Sequence, residues 1–206
     1  MSEGNLFILS GPSGCGKDTV LQGLFKKYSK IYDNIFMSIS TITRKMRSNE
    51  REGEKYHFVS VEEFEKMIAD DEFIEYNNYL GNYYGTPKKP VFDAMKQGKD
   101  VILEIDVNGA KKVKEKYPFA KTIFVLPKSI AVLRHRLEKR GTEDSQTIER
   151  RINQAINEIK SVEKYDYSFY NDDLDDAVND LFAIIRANAL TTDKIIDSIN
   201  EVINNA

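Results

Sequence analysis

Gly11-Pro12-Ser13-Gly14-Cys15-Gly16-Lys17, set directly behind the apolar run Leu6-Phe7-Ile8-Leu9, is the stretch on which the reading of the fold turns. Glycines at positions 11, 14 and 16 let the backbone turn its N–H groups inward around an anion, because side chains would block that approach and several φ values must be positive. A helical run follows, Thr19-Val20-Leu21-Gln22-Gly23-Leu24-Phe25. Strand, G-x-x-x-x-G-K and helix in that order read as a nucleotide phosphate loop rather than a plain Gly-rich turn. Lys17 then reaches the outer phosphates, and the helix beginning near it points its positive dipole end at the same charge. One position departs from the motif. Where it asks for Ser or Thr after the lysine, to hold Mg²⁺, this chain has Asp18, with Thr19 next. Either Thr19 supplies the hydroxyl, or the metal is held mainly by phosphates, water and other carboxylates.

Outward from the loop, alternating patterns continue. Ile35–Ser40 reads as a half-buried strand, Thr43 to Tyr56 as a polar mixed-charge loop, Tyr56–Ser60 as a strand, and Val61–Ile68 as an amphipathic helix with Ser60 as N-cap and an apolar face of Phe64, Met67 and Ile68. Phe73 to Thr86 looks like two strands joined around Gly81-Asn82. Helix returns at Val91–Met95 and stops at Gly98, before a second buried strand, Val101–Asp106, that ends in a carboxylate. A helix from Asn108 to Tyr117 leads to Thr122–Pro127, an apolar strand of the kind covered on both faces. Helices at Ile130–Lys139 and Gln146–Lys164, a strand at Tyr167–Tyr170 and helices after Asp172 close the chain. The alternation predicts an α/β protein with a mainly parallel central sheet.

A chain of 206 residues, 41% hydrophobic and 31% charged, has the size for one domain with inserted subdomains. A net charge of −3 disfavours a nucleic-acid surface. The single cysteine, Cys15, permits no intrachain disulfide and reads as a small loop filler rather than a catalytic thiol. Met1 to Asn5 carries no signal-like segment and no run reaches membrane-spanning length, so a cytoplasmic protein with no membrane partner is expected. His57 and His135 lack metal-spaced companions, which leaves zinc unsupported.

Three clusters carry candidate chemistry beyond the loop. Asp106, read as closing a strand at the ligand-bearing edge of a parallel sheet, suits a metal-bound water or an incoming substrate group, against the plainer role of a helix cap before Val107. Ser40, Thr43, Arg44 and Arg47, with Tyr56 beyond, offer two guanidiniums three residues apart that can grip one phosphate, against a solvated mixed-charge loop. Arg134, Arg136, Arg140, Arg150 and Arg151 lie on two helical patterns around Arg140-Gly141-Thr142-Glu143, where they can fold over a transferring phosphoryl group or simply pair on the surface.

In this order the motifs resemble the guanylate kinase family over nearly the full chain. The residues that carry the likeness are the phosphate loop, Ser38-Ile39-Ser40-Thr41-Ile42-Thr43-Arg44, Arg47, Phe73-Ile74-Glu75-Tyr76, Gly81-Asn82-Tyr83-Tyr84-Gly85-Thr86, Leu103-Glu104-Ile105-Asp106, Arg140-Gly141-Thr142-Glu143 and Asn171-Asp172-Asp173. The resemblance implies transfer of the γ-phosphoryl of Mg·ATP to GMP, and to dGMP, giving ADP and GDP. It implies a core at 1–36, 97–127 and 163–206, a mixed α/β GMP-binding insert at 37–96 and a helical lid at 128–162. It also implies that Ser40, Arg44, Arg47, Tyr56 and Tyr84 hold the GMP phosphate, that Glu75 and Thr86 read guanine, and that Asp106 contacts the acceptor. On the ATP side it implies Gly11, Pro12, Ser13, Gly14, Cys15, Gly16, Lys17, Asp18 and Thr19, with Arg136, Arg140 and Arg151 over the phosphates and Asn171 beside adenine. Lys17, Arg44, Arg140 and Arg151 are then the catalytic set, with no obligate protein partner. Ile42 and Asp18 depart from the family's usual residues. A phosphate-loop-lacking relative that binds proteins instead of catalysing is the rival expectation, and the complete glycine framework with Lys17 argues against it.

Overall fold

Leu6–Ser10 folds as the first strand, β1, and all five of its residues are buried. Along the chain there follow α1 (Lys17–Lys27), β2 (Ile35–Met37), β3 (Ser40–Ile42), β4 (Tyr56–Phe58), α2 (Val61–Ala69), β5 (Phe73–Tyr79) and β6 (Asn82–Pro87). Next are α3 (Lys88–Lys96), β7 (Asp100–Glu104), α4 (Val107–Lys116), β8 (Lys121–Pro127) and α5 (Ile130–Lys139). The C-terminal part holds α6 (Ser145–Ile159), β9 (Tyr167–Asn171), α7 (Leu174–Ala189) and α8 (Thr192–Asn204). This computed structural model describes residues 3–48, 50–79, 81–139 and 144–204.

A strand sends alternate side chains to opposite faces, so an all-apolar run needs cover on both. Phe7 and Leu9 enter one core with Val20, Leu21 and Leu24 of α1 and Val178, Leu181 and Ile185 of α7. Leu6 and Ile8 enter the other, with Val91 and Met95 of α3 and Ala110 and Val113 of α4. Three layers result, and each side chain of β1 so buried is worth about 1.5–3 kcal/mol. The central sheet runs β2-β7-β1-β8-β9 with every pairing parallel. Its register sets Leu9 beside Glu104, Ser10 beside Phe124 and Pro127 beside Asn171. The carboxyl ends of four strands therefore lie at one edge, where parallel sheets bind ligands.

A second sheet, ordered β4-β3-β6-β5, mixes one parallel pairing with two antiparallel ones. Phe64 of α2 stacks on Phe73 and Tyr83 beneath it, with ring centroids 4.4 and 5.1 Å apart. The Ser60 cap on α2 is present as a full capping box with Glu63. Elsewhere, Leu133 and Leu137 of α5 pack on Ile148, Ile152 and Ala155 of α6 in a small separate core. No described helix is long and apolar enough to cross a membrane.

Two expectations need correction. The stretch Ile35–Ser40 is not one strand, because β2 ends at Met37 on the central sheet and β3 begins at Ser40 in the other. Period-2 alternation says that a strand is half buried and nothing about which sheet it joins. Likewise β7 stops at Glu104, and Asp106 caps α4 by accepting from Gly109 N at 2.7 Å.

Candidate active site

The phosphate loop is held from outside by polar groups that converge on one carbonyl. Cys15 O accepts from Asn171 Nδ2 at 2.8 Å and from Arg136 Nη1 at 3.1 Å, while Arg136 Nη2 donates to Asn171 O at 3.1 Å. Gly16 is required here twice over. Its φ is +95°, and a Cβ would stand 2.3 Å from Asn171 Nδ2. Gly11 is similarly constrained, with Val125 O 2.5 Å from where a Cβ would be. Gly16 caps α1 without a side-chain hydrogen bond, so the helix offers its first N–H groups to an anion. Burial pushes the Cys15 thiol above its usual range, which suits a neutral filler. Lys17 Nζ rests on the loop's own carbonyls, 2.8 Å from Gly11 O, and Arg151 Nη1 donates to Ser13 Oγ at 3.2 Å. Beside the loop opens a cleft of about 390 Å³ lined by Gly14, Gly16, Thr19, Arg136, Lys139 and Asn171, among others.

Across the central sheet's edge, β5 and β6 place Glu75 opposite Thr86, whose Oγ1 donates to Glu75 Oε1 at 2.8 Å. Both are buried. Burial raises the Glu75 carboxyl to about 7, with the charge of Asp106 adding and the Thr86 hydrogen bond opposing. Asn77 Nδ2 donates to Asp106 Oδ2 at 3.3 Å, tying β5 to the cap of α4. A raised folded-state carboxyl pKa means that the folded protein binds more protons than the unfolded chain between their two values, so this group's burial costs stability progressively as pH rises from 4.5 to about 7, and the full cost stands above that. Glu75→Gln is therefore expected to raise Tm at pH 8 and to leave it nearly unchanged at pH 4, below both values. Equal Tm shifts at both values in a thermal melt would contradict the buried-carboxyl assignment.

Arg44 is the third centre. Its guanidinium lies over the Tyr56 and Phe58 rings, 5.3 and 5.7 Å from their centroids. Both of its Nη atoms bond one carboxylate, Glu50, at 2.7 and 2.5 Å, and Arg47 N donates to the same group at 2.9 Å. The Arg44 hydrogen bonds hold Glu50 down at about 2. A planar carboxylate gripped by this fork stands where a phosphate's oxygens can bind. Ser40 pairs in register with Tyr56, and Tyr84 with Ile42, so both flank the fork.

The comparisons with known proteins fit this geometry. A family description, Guanylate kinase, matches residues 3–188. The chain belongs to the guanylate kinase family. It is 48% identical over 195 residues to a guanylate kinase of Carboxydothermus hydrogenoformans, covering 95% of this chain and 94% of that one. It is 43% identical to one from Latilactobacillus sakei, with 98% of each chain covered. In structure it resembles guanylate kinase from Anaplasma phagocytophilum, with a TM-score of 0.74 at 34% identity over 93% of this chain and 89% of that one. Family membership makes the chain an enzyme, a nucleotide-binding kinase of the transferase class.

Within the family frame, the structure brings Arg136, Arg151 and Asn171 to the loop, and Glu75, Thr86 and Asp106 to one wall. It does not bring Arg134 and Arg150 there. Arg134 pairs with Glu149 across the α5–α6 contact, and Arg150 bonds Thr147 on its own helix. Arg140, Thr142 and Glu143 lie outside the described residues. Three side chains of the site were missed in the sequence. They are Glu50 in the fork, Lys55 paired to Asp18, and Glu104, whose Oε2 is 3.9 Å from Lys55 Nζ. Glu104's signal was present, since it follows the apolar run Val101–Leu103 at the carboxyl end of β7. Burial raises its carboxyl, with Asp18's charge adding and Lys55 opposing, while Lys55 holds Asp18 low against the upward pull of burial.

Proposed function

We propose that the protein transfers the γ-phosphoryl group of Mg·ATP to the phosphate of GMP, giving ADP and GDP. The observation that carries this reading is the opposition of two phosphate-seeking centres, the Lys17 loop and the Arg44 fork, beside a buried Glu75–Thr86 pair. Lys17, Arg136 and Arg151 bind and orient the donor phosphates, with Arg140 as their partner, and Asn171 lines the adenine side. Ser40, Arg44, Arg47, Tyr56 and Tyr84 hold the acceptor phosphate. Glu75 accepts from guanine N1–H and the exocyclic amine together, whereas adenine turns a lone pair toward it. The reading extends to dGMP, which carries the same base and the same phosphate as GMP.

The acceptor phosphate is a nucleophile near neutral pH, and no general base is needed. One of its oxygens attacks phosphorus, the bond to the β-phosphate oxygen breaks, and that electron pair leaves on ADP. Positioning and charge neutralisation carry the rate. For the metal, the donor set beside the loop is all oxygen, which fits Mg²⁺. Thr19, exposed in the first turn of α1, offers the hydroxyl, while Asp18 is engaged by Lys55 and the phosphates supply most ligands. When bound, the ion neutralises phosphate charge. We place the reaction in the cytoplasm, where both nucleotides occur.

The reading divides the chain into a core (1–36, 97–127, 163–206), an acceptor insert (37–96) and a lid (128–162). Basic groups on both movable parts flank one cleft, so binding both nucleotides compacts the molecule. Small-angle scattering with GMP and a non-hydrolysable ATP analogue is expected to give a smaller radius of gyration than the free protein, and an unchanged radius at saturation contradicts the closure. Chromatography of a reaction with ATP and GMP tests the chemistry. ADP and GDP in equal amounts are expected, and ADP with free phosphate and no GDP would overturn the transfer.

A further inference from the structure

We propose that Lys55 is a further cation of the phosphoryl-transfer centre, supplied by the acceptor insert and held in place by Asp18 of the donor loop. The proposal rests on the ATP:GMP reading above. Lys55 immediately precedes Tyr56 at the start of β4, and Asp18 immediately follows Lys17 at the start of α1. Their ion pair joins elements 37 positions apart in the chain. The same ammonium stands 3.9 Å from Glu104 Oε2 at the end of β7 and 5.8 Å from the centre of the Tyr56 ring, over which Arg44 also lies. Lys55 Nζ thus touches Asp18, next to the donor-loop lysine, and shares the Tyr56 ring with Arg44 of the acceptor fork.

Charge counting gives this position its meaning. Asp18 and Glu104 are two carboxylates beside the place where a triphosphate and a monophosphate must meet. Left unbalanced, they repel both substrates. Lys55 offsets one of these two charges before any nucleotide binds, and a cation already fixed where charge shifts to the bridging oxygen needs no reorganisation during transfer. Stability is a poor explanation for the pair. Both side chains are about half exposed, at 46% and 52%, and ion pairs of that kind contribute little to folding. The proposal also gives a role to the residue by which this loop departs from its motif, because Asp18 serves as the anchor of Lys55. Lys55 exchanges no proton in the step, and its ammonium contacts the phosphate oxygens.

Steady-state kinetics on Lys55→Met, Lys55→Arg, Asp18→Asn and the Asp18→Asn/Lys55→Met double variant test the assignment. Lys55→Met is expected to lower kcat by about ten- to a hundredfold, with an unchanged melting temperature, and Lys55→Arg to recover most of the rate. In the Lys55→Met background, Asp18→Asn is expected to restore part of the lost rate, because it removes the charge left unbalanced. Lys89→Met, which removes an exposed lysine of α3 paired with Asp93, is expected to behave as wild type. An active wild type with Lys55→Met within twofold of its kcat overturns the role of Lys55 alone, as do losses that simply multiply in the double variant. A wild-type protein that makes no GDP overturns the activity reading and this role with it.

Discussion

Lys17→Ala lowers kcat by two or more orders of magnitude. On the proposed reading its ammonium follows the γ-phosphoryl group, and contacts of this kind are worth about 3 kcal/mol or more in the transition state. In the free protein Nζ is parked on Gly11 O at 2.8 Å and reaches Pro12 O at 3.5 Å. On the proposed reading it exchanges these carbonyl partners for phosphate oxygens when ATP binds. The substitution leaves the outer braces of the loop in place, since Asn171 and Arg136 both hold Cys15 O without help from Lys17. Loss of rate with an intact loop is thus the expected pattern, read as a drop in kcat at saturating ATP together with a measurable ATP titration. A variant with near-normal kcat would remove Lys17 from the donor site.

Glu75→Gln changes base choice. The amide keeps one acceptor oxygen, which the Thr86 hydroxyl already bonds at 2.8 Å, and turns an NH₂ toward guanine's donors. One guanine donor is then poorly paired, and an unpaired buried polar group costs about 1–3 kcal/mol. The loss in kcat/KM for GMP is expected at about ten- to a hundredfold, with the KM for ATP unmoved. AMP gains relative to GMP, because its N1 lone pair can accept from the new amide. Steady-state kinetics with both acceptors check this, and an unchanged GMP:AMP ratio in a folded variant moves base recognition elsewhere. The stability response described above separates misfolding from lost recognition.

The parts legible in the sequence were those written in short-range pattern. The loop, its strand and its helix follow from glycine spacing and an apolar run, and the Ser60 cap from residue type at one position. Loss of legibility began where the answer depended on a partner distant in sequence. Ser38 and Ile39 continue an alternation while the chain passes from one sheet to another, and nothing in period 2 marks the change. Asp106 looked like the strand-end carboxylate, and only the register with β1 shows that the strand stops at Glu104. Lys55 could not be linked to Asp18, because their contact joins two elements whose approach the fold alone decides. The arginines divided in the same way. Arg134 has the surface ion pair that mixed-charge helices usually make, whereas Arg136, two residues on and nearly opposite around the same helix, reaches the loop.

Acceptor choice tests the account most directly. A coupled assay of ADP release, run at saturating Mg·ATP with GMP, dGMP, AMP and UMP in turn, reads the arginine fork and the Glu75–Thr86 pair together. The account predicts turnover with GMP and dGMP and rates at least a hundredfold lower in kcat/KM with AMP and UMP, on the order expected when a buried hydrogen-bonding site meets the wrong base. Comparable turnover of AMP or UMP, or no ADP release with GMP, would contradict it.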